Sequence, residues 1–443
     1  MKNLYILIIS GIFFLAACSN DVVFRSEVLD QRLETLVSSA SPTGSADHFI
    51  LPDHTAYDQI PQDPKNPLTP AKVALGQYLF FETGIGVDAR KGAGMQTYSC
   101  ATCHIPSKGF KPGAIQGIAD GGVGFGRERG IHPDYAEDEL DAQGARPLSV
   151  LNVAFVTNTF WNGQFGGKDL NEGTEDLWNE EDQTAVNELG FLGIESQNFE
   201  GLITHRMRMT PELARDLEYD VLFDLAFPER TGEDRYSTEA ASLAISAYIR
   251  SLITDQAPFQ EWLRGDQQAM SEQQKRGAIL FFSKANCYSC HNGPSLNAMN
   301  FYALGVNDLY QEGGVFTSAQ DRRNLGRGGF TRKEEDMYKF KVPQLYNLKN
   351  APFYFHGSSK ETIDDVIEYF NNAIPENPNV PPGQVSGNFK PLYLTDQEKE
   401  DLKAFLEDGL FDPFIERYVP PYIHSGNCFP NNDYLSRITL GCE

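Results

Sequence analysis

Residues 98–104 read YSCATCH and residues 286–291 read NCYSCH, so one chain carries two copies of Cys-x-x-Cys-His. Paired thiols at this spacing serve zinc sites, redox disulfides or covalent haem, and each use predicts a different protein. Zinc sites built from two such knuckles usually hold them within about 15–20 residues, whereas these lie at 100–103 and 287–290. A thioredoxin-like dithiol requires neither a histidine nor a second copy. Covalent haem c requires two thiols to add across the vinyl groups and an adjoining imidazole to ligate iron. The strings therefore predict two covalently bound haem c groups, on Cys100 and Cys103 with His104, and on Cys287 and Cys290 with His291.

The other cysteines fit the same compartment. Lys2 precedes an apolar run from Leu4 to Leu15 that is too short to span as a mature helix, and the run ends in LAAC at Cys18. This is similar to a bacterial lipoprotein signal, with Cys18 lipidated; an ordinary secretory signal is the alternative. Either predicts an exported protein, periplasmic or in the cell envelope, and the first adds a lipid anchor to a membrane. Cys428 and Cys442 lie in a Pro/Asn-rich tail, where export permits a disulfide between them.

The chain has 443 residues and a formal charge of −24. It is long enough for two cores, and its charge makes nucleic acid a poor partner, since phosphate contacts need clustered Lys and Arg. An internal repeat supports two units: GQYLFF from Gly76 and GAILFF from Gly277 each place Gly-x-x-Leu-Phe-Phe ahead of a haem string. Ser271–Gln274 reads as a capping box opening the second of these helices, and Thr395 with Glu398 as another. The segment STEAASLAISAYIRSLI, from Ser237, predicts a helix. The glycine-rich stretch GIADGGVGFGRERG lacks a strand–turn–helix setting for a dinucleotide and reads as a flexible loop. Alternating β patterns are scarce. The expected fold is mainly α, with two cytochrome c-like haem domains and long irregular loops. The expected divisions are 1–18 as signal, 19–65 as lead-in, 66–235 as the first haem domain, 236–415 as the second and 416–443 as tail.

At this point the chain resembles the bacterial dihaem cytochrome c peroxidases, the family that includes MauG. RPLSVLNVAFVTNTFWNGQF, from Arg146, is similar to the family's stretch leading to Phe-Trp-Asp-Gly-Arg. FKVPQLYNLKNAPFYFHG, from Phe340, is similar to its segment after the second haem. The resemblance implies that the haem on His104 is the peroxidatic centre, where hydrogen peroxide binds. The haem on His291 then receives electrons from a small donor protein, a cytochrome c or a cupredoxin. Trp161 matches a tryptophan between the haems, and His356 a histidine close to the second. A homodimer is compatible with the family.

Several positions depart from the family pattern. Typical members carry a distal Gln followed by a Glu before Met; in ESQNFEGLITHRM, Gln197 fits the glutamine, but His205, Arg206 and Met207 stand where the acid is expected. His205 is the leading candidate for acid–base work, with Glu195 as competitor and Arg206 or Arg208 as candidates to polarise peroxide. The sixth ligand of the second haem is Met in most members and Tyr in MauG; in TIDDVIEYFNN the aligned residue is Phe370, and a one-residue shift would supply Tyr369. The family's interhaem calcium is held partly by backbone carbonyls, which match Asn350 and Pro352. Its side-chain ligand position corresponds to Arg146, a cation that would repel calcium. His132 lies in the loop from which a histidine blocks the first haem in many members. The leading expectation is a peroxidase. The second is a MauG-like enzyme that oxidises Trp or Tyr of a partner protein, and the third is a non-enzymatic dihaem electron-transfer cytochrome.

Overall fold

The computed structural model describes residues 26–442, and the predicted signal with Cys18 lies outside them. Helices dominate. The chain opens with α1 over 26–40, followed by α2 (Pro70–Phe81), α3 (Cys100–Cys103), α4 (Gly193–Thr204), α5 (Pro211–Asp216), α6 (Asp220–Ala226) and α7 (Thr238–Arg250). Then come α8 (Pro258–Leu263), α9 (Glu272–Phe281), α10 (Arg327–Thr331), α11 (Ile363–Asn372), α12 (Asp396–Ala404) and α13 (Tyr434–Leu440). Two short antiparallel ladders, β1 (Gly122–Val123) with β2 (Gly130–Ile131) and β3 (Phe301–Tyr302) with β4 (Phe340–Lys341), pin the loops. Both predicted capping boxes form, at Ser271–Gln274 and Thr395–Glu398.

The repeat is a packing device. A Cβ on Gly76 would stand 1.9 Å from the Ala244 carbonyl oxygen and 2.9 Å from Tyr248 Cβ; one on Gly277 would stand 1.9 Å from the Asp401 oxygen and 2.8 Å from Phe405 Cβ. In each case glycine lets a helix cross another at backbone contact, α2 against α7 and α9 against α12, and the phenylalanines that follow fill the core beneath. One core gathers α2, α4, α6 and α7 with Tyr98 and Phe110. The other gathers α1, α8, α9, α11 and α12 with Phe405.

α7 was expected to open the second unit, but it is the helix on which α2 packs, and its Arg250 forms a fully buried ion pair with Glu195 of α4. The lead-in is also more than a tether. Leu33, Val37, Phe49 and Leu51 are buried in the second core, Asp30 accepts from Lys275 and Trp262, and His48 Nε2 donates to the carbonyl of Asn292, beside His291.

The tail crosses to the other half. Cys428 and Cys442 form the expected disulfide, and Pro430 presents its carbonyl to the hydroxyls of Ser99 and Thr102 in the first cysteine string. The glycine-rich stretch is buried from Gly117 to Gly124 and again at Arg129. It wraps Arg129, whose guanidinium donates to the carbonyls of Ile118, Ala119 and Gly124 and pairs with Asp433 of the tail.

Candidate functional site

Each histidine is oriented by the turn that follows it. His104 Nδ1 lies 3.1 Å from the Phe110 carbonyl oxygen, and His291 Nδ1 lies 2.8 Å from that of Leu296. A carbonyl only accepts, so Nδ1 carries the proton in both rings and Nε2 carries a bare lone pair. Burial pushes each imidazole down, to about 4, which keeps both neutral at physiological pH.

The thiols answer the zinc and dithiol alternatives. All four string cysteines are free. Burial pushes Cys100, Cys103 and Cys287 up to about 12, the reverse of what a redox-active thiolate requires. Among the described residues the cysteines do not converge on one metal-holding group; the only such cluster is Asp53, His54 and Asp255. There the Asp255 carboxylate is already taken by Arg417 and His54.

One cavity of about 880 Å³ is lined by His104 and His291 together. The lining also includes Trp161, whose Nε1 donates to the Arg146 carbonyl, and His356, stacked on Phe340 at 3.6 Å and donating from Nε2 to buried Asp308. The donor set fits haem c: two thiol pairs, each followed by an imidazole with a free Nε2, opening into one large and mostly apolar space.

Helix α4 supplies the polar wall. Gln197, Gly201, Thr204 and His205 line the cavity because their spacing puts them on one helical face. His205 caps the helix, and its Nδ1 donates to Asp141 Oδ2 at 2.8 Å, leaving Nε2 as the nitrogen available to a ligand. Burial lowers the affinity of His205 for a proton, but the charge and hydrogen bond of Asp141 outweigh it and leave the group raised. Asp141 is 64 residues away in sequence. It is held by the buried glycine-rich segment through the backbone bond from Ala119, and no local pattern marks it.

Four expected residues do not serve the cavity. Glu195 precedes the lining face, and its carboxylate is turned away into the bidentate pair with Arg250, at 2.7 and 2.5 Å. Arg206 is committed to Asp120 and the Glu139 carbonyl, and Arg208 pairs with Asp88 at the surface. His132 packs against Tyr135 and Tyr434, outside the lining.

Tyr369 is not positioned as a ligand. Its hydroxyl donates to the Leu304 carbonyl at 2.7 Å, and its ring sits with Val306 and Phe389. Phe370, about 100° round α11, is the residue that lines the cavity. The residue matched to the calcium side-chain ligand, Arg146, is itself a buried cation. Arg146 is buried over the ring of Phe353, next to Pro352, and donates to the carbonyls of Pro112 and Ala114, while Asn350 is exposed.

The family described as di-haem cytochrome c peroxidase matches residues 70–268. The cytochrome-c peroxidase IdrP1 of Denitromonas iodatirespirans is 28% identical over 380 residues, covering 80% of this chain and 86% of that protein. The methylamine utilization protein MauG of Methylorubrum extorquens is 27% identical over 358 residues, covering 80% of this chain and 83% of its own. A crystal structure of a MauG-like protein associated with microbial copper homeostasis shares the fold, with a TM-score of 0.59 at 23% identity over 84% of this chain and 97% of that one. The match over residues 70–268, these relatives and the paired histidine sites together make the chain similar to the bacterial dihaem cytochrome c peroxidases and MauG.

Proposed function

We propose that this protein reduces hydrogen peroxide to water, taking two electrons from a small exported redox protein. The observation that carries the proposal is the pair of imidazoles, each with Nδ1 donating to a carbonyl and both lining one shared cavity. When bound, haem would supply the iron that binds peroxide and, with its counterpart, would pass on the two electrons of the donor; the protein relays protons, and the two that complete the second water come from solvent. His205 takes a proton from the inner peroxide oxygen on Nε2 and returns it to the outer one, so that the departing group leaves as water. Asp141 holds the ring in the tautomer with Nε2 free and stabilises the imidazolium between the two transfers. Gln197, on the same face of α4, offers its amide to the second oxygen. Trp161 bridges the two halves of the cavity.

In this reading the first haem unit runs from 66 through α7, the second from about 257 to 415, and the tail braces the first. Cys18 anchors the exported protein to a membrane through lipid. Calcium is not included, because Arg146 already places a cation at that position.

A second reading, oxidation of Trp or Tyr in a partner protein as in MauG, is favoured by one observation: none of the residues lining the cavity is methionine, and Phe370 stands where a ligand would be needed. Following peroxide consumption by the holoprotein with a reduced cytochrome c or cupredoxin separates the two. Rapid donor oxidation supports the peroxidase; negligible donor oxidation with a long-lived two-electron-oxidised protein supports the tailoring enzyme. Two low-spin haems in both oxidation states would sink both and leave an electron-transfer cytochrome.

A further inference from the structure

Two buried cations in the cavity lining that includes His104 lack a carboxylate partner among the described residues. Lys111 follows Phe110, whose carbonyl fixes His104; its side chain is nine-tenths buried, and Nζ has no hydrogen-bond partner. Arg146, 2% exposed, donates from Nη1 and Nη2 to carbonyls and leaves Nε unpartnered. No carboxylate offsets either charge: burial lowers both groups, Arg146 lowers Lys111 further, and only Tyr354 acts the other way on Arg146. An ammonium and a guanidinium held side by side away from water are strongly disfavoured without an anion. Both line the cavity that receives His104 Nε2.

The geometry points to Lys111 and Arg146 as a carboxylate clamp for the propionate groups of the haem ligated by His104, an inference that rests on the dihaem reading above. A propionate pair brings the two negative charges the site lacks, on a group already fixed in the cavity by covalent bonds. Lys341, also buried in the lining without a carboxylate, differs from Lys111 in that its Nζ has a hydrogen-bond partner, the Asn158 carbonyl. Arg146 also joins the clamp to the middle of the cavity, because its carbonyl accepts from Trp161 Nε1 and its N–H donates to the His356 carbonyl.

Cations at the propionates stabilise the reduced iron, so removing one should lower the potential of that haem alone. In holoprotein carrying Lys111→Met, spectroelectrochemistry should show the haem on Cys100 and Cys103 about tenfold harder to reduce, which is about 59 mV for one electron. The other haem should be unmoved, and Lys111→Arg should restore the wild-type value. An unchanged first haem, or equal shifts in both, would overturn the clamp. Should Lys111→Met fail to retain haem, the wild-type Raman propionate-bending bands decide: a D2O-sensitive, hydrogen-bonded band supports the clamp, and only free-propionate bands contradict it. Failure of the dihaem reading is separate, since the wild-type protein would then lack two covalent haems.

Discussion

In the first half, α2 crosses α7 at Gly76, and the turn after α3 brings the Phe110 carbonyl to His104; in the second, α9 crosses α12 at Gly277, and the turn after Cys290 brings the Leu296 carbonyl to His291. The scaffolds match, but the walls facing the cavity do not. The first half presents a polar helix face with Gln197 and the His205–Asp141 pair, and two cations without counter-ions. The second presents Ile363, Val366, Ile367, Phe370, Leu402 and Leu406. Duplication of a scaffold therefore does not duplicate chemistry: what sets each imidazole's surroundings is the helix that lines the cavity beside it, polar α4 in the first half and apolar α11 in the second. The braces cross as well, with the N-terminal lead-in packed on the second half and the disulfide-closed tail on the first.

The largest expected effect tests the polar wall. His205→Ala should lower peroxide turnover by about 10²–10⁴, the range typical of positioned acid–base groups, with haem content unchanged; a loss under tenfold would remove His205 from the proposal. Glu195→Gln provides the counterpart. It leaves Arg250 buried without its charge partner, so thermal or denaturant unfolding should show a loss of about 3–5 kcal/mol, while turnover per folded molecule holds. Loss of turnover at full stability would restore Glu195 as the acid.

The shared scaffold is tested by Gly76→Ala and Gly277→Ala, each expected to cost about 1–3 kcal/mol through overpacking. A cost at only one of them would mean the helix crossings are not equivalent.

The charge of Asp141 raises the proton affinity of His205, and Glu200 adds to it, against burial and the neighbouring Arg206. Activity that needs neutral His205 should therefore rise with pH through an inflection above the ordinary histidine range. Asp141→Asn should move that inflection to lower pH; an unmoved profile would separate His205 from the rate. The smallest effect belongs to Tyr369→Phe, which removes one hydrogen bond worth about 1 kcal/mol and should leave the ferric spectrum unchanged, whereas a Tyr ligand would be lost visibly.

Much of the scaffold was legible because it is written locally. The two strings, the Gly-x-x-Leu-Phe-Phe repeat, both capping boxes and the tail disulfide each rest on residues close in sequence. What was not legible depends on which surface a residue meets. Tyr369 and Phe370 are neighbours whose roles are separated by about 100° of helix, and Glu195 and Gln197 divide the same way on α4. Asp141 and Lys111 carry no motif, because their meaning lies in a partner far along the chain or in an anion the chain does not encode. α7 looked like a new beginning, yet a helix shows its allegiance only through the glycine that packs on it.

The central claim is that two separate Cys-x-x-Cys-His turns each hold one haem over a common cavity. Intact-mass measurement of the holoprotein, with a pyridine haemochrome count, tests it most directly. The account predicts a polypeptide heavier by two haem groups, with Cys100, Cys103, Cys287 and Cys290 all blocked to alkylation. One haem or none, or a pair of string cysteines free to alkylate, would contradict it.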